Sequence, residues 1–180
     1  MLRRRPSASA AEGPERTLVM KRLSLVVVLA AVALWAAHPT AEVPAAQGRL
    51  VEITATDAGG KYIFKPDTFA AKPAEQLLVR LKSVAGTMGN MPKMAMSHNF
   101  VLVKPGNDPM QFANAGIPGG FAGNYIPPDK KDQAIAFTPL AGVGETVEIA
   151  FKAPAAGTYP FICTFPGHVA GGMKGTLVVK

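Results

Sequence analysis

From Arg49 to Lys180 the chain is cut into short runs of β-branched and aromatic residues, and no stretch sustains the 3.6-residue hydrophobic period of a helix. "RLVEITATD" alternates through Leu50, Ile53 and their neighbours. "KYIFKPDTF" carries aromatics around Pro66, and "EQLLVRLKSV" alternates Leu77, Val79 and Leu81 with polar partners. "HNFVLVK", "ETVEIAFK", "GTYPFICT" and "KGTLVVK" follow, with Gly, Pro and Asp between the runs. Strands of this length and spacing predict an all-β domain, a sandwich or small barrel with Greek-key connections. One segment departs from the pattern. Residues 105–131 read as a long loop with a short helix expected in "DPMQFANAG", and such a loop in a compact domain is functional or a flap over the core.

The formal charge of +7 suggests a nucleic-acid partner until it is located. Residues 1–41 carry Arg3, Arg4, Arg5, Arg16, Lys21 and Arg22 against Glu12 and Glu15, a balance of +4. From Arg49 onward 13 basic and 9 acidic residues are spread thinly, with no basic stripe and no aromatic interleaving, which argues against nucleic acid. The basic leader has a different use. Lys21 and Arg22 directly precede an apolar run over residues 23–37, the pattern of an export signal and short for a bilayer span of about 20 residues. Residues 1–41 are therefore expected to be a targeting segment, with Met1 or Met20 as its start. Ala37 and Ala41 end small-residue stretches where cleavage is expected. Trp35 and Pro39 fit the −3 position badly, and an uncleaved run would tether the protein to a membrane. Residues 42–48 form an Ala/Pro linker, and 49–180 the folded domain, expected in the periplasm or elsewhere outside the cytoplasm.

That compartment sharpens the meaning of Cys163, the one cysteine in the chain. Exported domains usually pair their cysteines, and an unpaired thiol there is deeply buried or bound to something. In "CTFPGHVAGGMKG" the thiol stands five residues before His168 and ten before Met173, in the connection between two strands. Cys-x4-His-x4-Met offers three donors from one loop. Of three histidines His38 lies in the leader, which leaves His98, at the start of "HNFVLVK", as the remaining strong donor. Two imidazoles, one thiolate and a thioether form the donor set of a blue-copper electron-transfer centre. Taken singly, each residue has a plainer use: a buried small hydrophobe for Cys163, a hydrogen-bonded strand residue for His98, core filling for Met173. The joint spacing and the exhausted histidine count point to copper. Zinc takes the same donors, but structural zinc favours stronger ligands than a thioether.

"YPFICTFPGHVAGGMKGTLVVK" resembles the copper loop of the azurins and auracyanins, within the cupredoxin family. "MSHNFVL" resembles their first-histidine segment, and "YIPPDKKDQAIAFTPLAGVGETVEIAFKAPAAGTYPF" the stretch leading into the loop. The spacing is more similar to auracyanin, since azurins place the methionine one residue closer to the histidine. The resemblance implies a cupredoxin fold with His98, Cys163 and His168 as equatorial ligands of one copper and Met173 as the axial one. It places Ser97 where azurins have a glycine whose carbonyl approaches the metal as a weak axial contact. Asn99 matches a clasp residue that ties the first-histidine strand to Thr164. The N–H groups of Asn99 and Phe165 are then expected to bond the sulfur, while Pro166 has none to add. Azurins also carry a disulfide near the N-terminus for which this chain has no cysteines.

The implied function is single-electron transfer between extracytoplasmic redox proteins such as cytochromes or membrane complexes, by a monomer that transforms no substrate. His168 is the expected exit, inside a partner patch of Met96, Pro166, Val169, Ala170 and Gly171. The small residues of "VAGG" would admit a close approach, or else Gly171 and Gly172 serve the turn. Multicopper oxidases and copper nitrite reductases need more histidines than two. The second hypothesis rests on Met88, Met91, Met94 and Met96, because thioether clusters outside the cytoplasm bind Cu(I): an extracytoplasmic copper-binding or chaperone protein. Against it, those methionines can fill gaps beside the site or form an adaptable contact face.

Overall fold

The computed structural model describes residues 48–180. The expected targeting segment, the tether at 23–37, His38 and all of the linker except Gly48 lie outside the described residues.

Two sheets pack face to face. The first contains β1 (Arg49–Ala58), β2 (Lys61–Lys65), β4 (Gln76–Ser83) and β9 (Thr146–Lys152), in the order β2-β1-β4-β9. The second contains β3 (Thr68–Ala71), β6 (Val101–Val103), β7 (Ala134–Phe137), β10 (Gly157–Ile162) and β11 (Lys174–Val179), in the order β3-β11-β10-β6-β7. The pairs β1–β4 and β3–β11 are parallel and the other pairs antiparallel. Parallel neighbours cannot be joined by a hairpin, so the chain must cross between layers. It does so at Pro66, leaving the first sheet after Lys65 and entering the second at Thr68.

Strict alternation decides which side chains meet in the middle. β4 turns Leu77, Val79 and Leu81 inward, as its sequence pattern predicts. β1 corrects one expectation. Val51, Ile53 and Ala55 are buried while Leu50 is exposed, because a period of two cannot put residues 50 and 53 on the same face. Against them stand Phe69, Leu102, Phe161 and Leu177 of the second sheet and Phe100, just before β6. The Phe161 ring lies 5.2 Å from Phe64, 5.6 Å from Phe69 and 5.1 Å from Phe100, centre to centre.

The long loop contains the short helix expected in it, α1 (Pro109–Ala115). The Asp108 carboxylate accepts the Gln111 N–H at 2.7 Å and Pro109 opens the first turn, so the helix starts where its sequence says it should. Phe112 and Ala113 pack on Val101, Val103 and Ile162, the outward residues of the second sheet. The segment is thus a flap, and it explains why "VLV" is apolar at every position: β6 is covered on both faces. "HNFVLVK" is not one continuous strand. Ser97–His98 (β5) pairs with Ala141–Gly142 (β8), and the ladder resumes only at Val101. Asn99 spends its side chain elsewhere, and the Phe100 N–H goes to the Thr138 hydroxyl at 3.0 Å. No helix among the described residues is long and apolar enough to cross a membrane.

Candidate metal centre

The break between β5 and β6 is what delivers His98. Ala141 and Gly142 opposite it are small, and the His98 imidazole turns to the end of the sandwich where β10 runs out at Cys163. The following loop returns on itself: His168 N–H donates to Phe165 O at 3.0 Å, Met173 N–H to His168 O at 2.8 Å, and Cys163 N–H to Met173 O at 3.3 Å. Three donors separated in sequence thereby meet at the mouth of one loop. One ligand atom each from His98, Cys163 and His168 lie within 4.8 Å of one another, and all three residues are buried. Cys163 Sγ is 3.4 Å from His168 Nδ1, and Met173 Sδ is 3.2 Å from His98 Nδ1. The Ser97 carbonyl lies 4.0 Å from Cys163 Sγ, while its hydroxyl donates to Lys93 O at 2.5 Å and so does not point into the pocket. Two imidazoles, a thiol and a thioether in an apolar pocket fit a soft, redox-active ion such as copper better than a hard oxygen-seeking cation.

Burial sets the protonation of this pocket. It pushes the Cys163 thiol up to about 12, with the N–H groups of Asn99 and Phe165 pulling back part of the shift. It holds His98 down at about 4, opposed by the negative charge of Asp57. It holds His168 down at about 3, the neighbouring His98 adding to the effect. Near neutral pH the metal-free pocket therefore contains one thiol and two neutral imidazoles. A bound ion must displace a single proton, that of Cys163. Cu(II) affinity is expected to rise about tenfold per pH unit between about pH 5 and 9. Calorimetry in buffers of differing ionisation enthalpy should find one proton released per ion, and none released would contradict the arrangement. The metal-free fold has the opposite exposure at the two ends of the scale. The depressed imidazoles cost it stability as pH falls from 6.5, where the unfolded chain begins to take up protons. The raised thiol costs it stability as pH climbs from 9.0 towards 12.

A buried clasp joins the segment of His98 to that of Cys163. Asn99 Nδ2 donates to Thr164 Oγ1 at 2.8 Å and to Asn124 O at 3.0 Å, and Asn99 Oδ1 accepts the Thr164 N–H at 2.9 Å. Thr164 Oγ1 donates in turn to Asn124 O at 3.0 Å. Asn124, from the flap, extends the clasp to a third segment through Oδ1, which accepts the Leu140 N–H at 2.9 Å.

Two residues beside the pocket were not visible in the sequence. Tyr62, on β2, stacks its ring on His168. Asp57, at the end of β1, is buried and accepts from the Thr87 hydroxyl and, at 3.1 Å, from the Met88 N–H. Neither lies in a motif, and only the sheet register brings them here, where Asp57 and Tyr62 stand opposite one another. Asp57→Asn is expected to raise the reduction potential of the copper-loaded protein, since losing a buried negative charge near His98 disfavours the more positive oxidation state. Voltammetry would read this.

The methionine segment divides. Met88, Met91 and Met94 are exposed, Met94 at 66%, so they do not fill gaps; Met96 alone is buried. The loop is held at one end by Asp57 and in its middle by the ion pair of Lys93 with Glu145 at 2.6 Å. The expected contact patch also needs correction. Met96 and Val169 are 5% and 7% exposed, turned in by the loop and the flap, leaving Pro166 and Ala170 at the surface and Gly171 half-covered.

The sequence pattern of the family described as copper binding proteins, plastocyanin/azurin family, matches residues 51–180. Auracyanin-A of Chloroflexus aurantiacus is 54% identical over 84 residues, which cover 46% of this chain and 51% of that protein. The match to auracyanin-B of the same organism covers 38% of that protein, so these two relatives are matched over about half their length or less. Azurin-1 of Alcaligenes xylosoxydans xylosoxydans is 38% identical over 133 residues, covering 71% of this chain and 94% of azurin-1. Among solved structures, auracyanin A, described as a "blue" copper protein, superposes with a TM-score of 0.59 at 38% identity, covering 73% of this chain and 100% of that one. The fold is that of the cupredoxins.

Proposed function

The chain belongs to the plastocyanin/azurin family of copper-binding proteins, and on that footing we propose that it is a blue copper electron carrier holding one copper ion among His98, Cys163, His168 and Met173. One observation carries the assignment: the two imidazoles and the thiol, the strong donors of a soft metal, converge within 4.8 Å in a closed pocket. Met173, buried against His98, supplies the weak fourth contact. Copper bound there supplies a one-electron Cu(I)/Cu(II) couple. The protein's part is to keep the donors still while charge changes. His98 and His168 stay neutral because burial suppresses their protonation. Cys163 gives up its proton on loading and is then stabilised by the N–H groups of Asn99 and Phe165. The Asn99–Thr164 clasp fixes the spacing of the two ligand segments.

The chain transforms no substrate on this account and serves redox proteins outside the cytoplasm, such as cytochromes or membrane complexes, as a monomer. Residues 1–41 direct export and 42–48 link that segment to the copper domain, with residues 23–37 as a tether where cleavage fails. A carrier of copper itself is disfavoured, because a buried four-donor pocket releases its ion reluctantly. Met173→Leu tests the assignment. The variant should keep its colour and one copper per chain while its potential rises, since a donor to the oxidised state is lost. An unchanged potential by voltammetry would remove Met173 from the site.

A further inference from the structure

We propose that electrons enter and leave this protein through Tyr62, whose ring covers His168 and fixes the plane of its imidazole; the inference rests on the electron-carrier function above. The two rings are stacked, with centroids 4.0 Å apart and planes inclined by 22°. Phe165 approaches the same imidazole at 4.7 Å. With these neighbours His168 is only 2% exposed while Tyr62 is half-buried, so a partner docking over the ring meets the tyrosine before the histidine.

The backbone is shaped for this cover. Tyr62 N–H donates to Gly171 O at 3.0 Å, clamping β2 to the ligand loop. A Cβ on Gly171 would sit 2.5 Å from the Tyr62 ring, so only glycine leaves the ring its place over the loop. Gly172 has a φ of +102°, which lets the chain turn towards Met173. One of the two loop glycines thus serves the turn, and the other leaves room for the Tyr62 ring.

Tyr62 is a positioning residue and a contact, not a redox centre. In each transfer one electron passes between the copper couple and a one-electron centre of the partner, a haem or a second copper, and Tyr62 neither gains nor loses one. Its ring replaces a gap with continuous packed atoms between His168 and the protein surface. The rival port is the apolar groove on the flap side, where Met110 and Ile117 are exposed beside Pro166 and Ala170.

Two measurements on the full chain decide the matter. In the metal-free protein, acylation of His168 by diethyl pyrocarbonate, read by mass spectrometry against buried His98, should accelerate by about tenfold or more in Tyr62→Ala and stay unchanged in Tyr62→Phe. In the copper-loaded protein, self-exchange between reduced and oxidised molecules, read by NMR line broadening, should slow by about tenfold in Tyr62→Lys and change by less than about twofold in Ile117→Lys. Equal reactivity of His168 with and without the ring overturns the cover. Slowing by Ile117→Lys with no effect of Tyr62→Lys overturns the port. A wild-type protein that takes up copper without colour would sink the carrier function instead, and the two failures are distinguishable because the labelling is read without metal.

Discussion

Cys163→Ser should abolish the intense visible absorption of the copper-loaded protein and weaken copper binding by more than about a hundredfold, beyond the usual cost of losing an outer-shell partner. The colour of such a site comes from charge transfer between a thiolate and copper, and a serine hydroxyl offers no comparable low-energy donor. It is also a harder and far less acidic ligand. The fold should survive. Cys163 is fully buried, and placing a hydroxyl there costs about 1–3 kcal/mol unless it finds a partner. The Ser97 carbonyl, 4.0 Å from Sγ, lies on the side where such a partner would be needed. Absorption spectra and a competitive copper titration read both effects. A coloured serine variant would show that the thiol is not a ligand.

Asn99→Ala should produce the second large effect, on stability and on the site together. The substitution removes three hydrogen bonds, two of them fully buried, and leaves the Thr164 N–H without its acceptor. An orphaned buried group costs about 1–3 kcal/mol, and with the lost partners a total of roughly 2–4 kcal/mol is expected in denaturant unfolding. Thr164 adjoins Cys163 and Asn99 adjoins His98, so loosening the clasp also releases the spacing of two ligands. The copper-loaded variant should therefore shift both its absorption maximum and its potential. A loss below about 0.5 kcal/mol, the level of an ordinary surface change, would mean the clasp is not holding the segments together.

The donor set was legible in the sequence because it depends on counting. One cysteine, two histidines beyond the leader and a methionine in the same loop leave few ways to build a metal site, and the structure brings His98, Cys163, His168 and Met173 to one place. The strands from β4 onward that carry clean alternation were equally legible. β7 and β8 were not, since Ala134–Phe137 and Ala141–Gly142 are too short to show a period. Leu50 misled because it is the one apolar residue in its own phase of "RLVEITATD"; Val51, Ile53 and Ala55 share the other phase, and pairing with β4 sets Val51 and Ile53 beside Val79 and Leu81. Tyr62 and Asp57 were invisible for a related reason. Their roles arise from the register of β2 on β1 and from the approach of that edge to the copper loop, neither of which is a local property. The patch expectation failed at Met96 and Val169 because loop residues next to a ligand pack inward as readily as outward.

The most direct test is the visible absorption spectrum of the purified protein during titration with Cu(II). An intense orange-red band that saturates at one copper per chain and is bleached by ascorbate is the expected result, since it requires a copper–thiolate bond at Cys163 and a working one-electron couple. A protein that stays colourless throughout the Cu(II) titration and yet binds Cu(I) would contradict the account and move the copper to the exposed thioethers of Met88, Met91 and Met94.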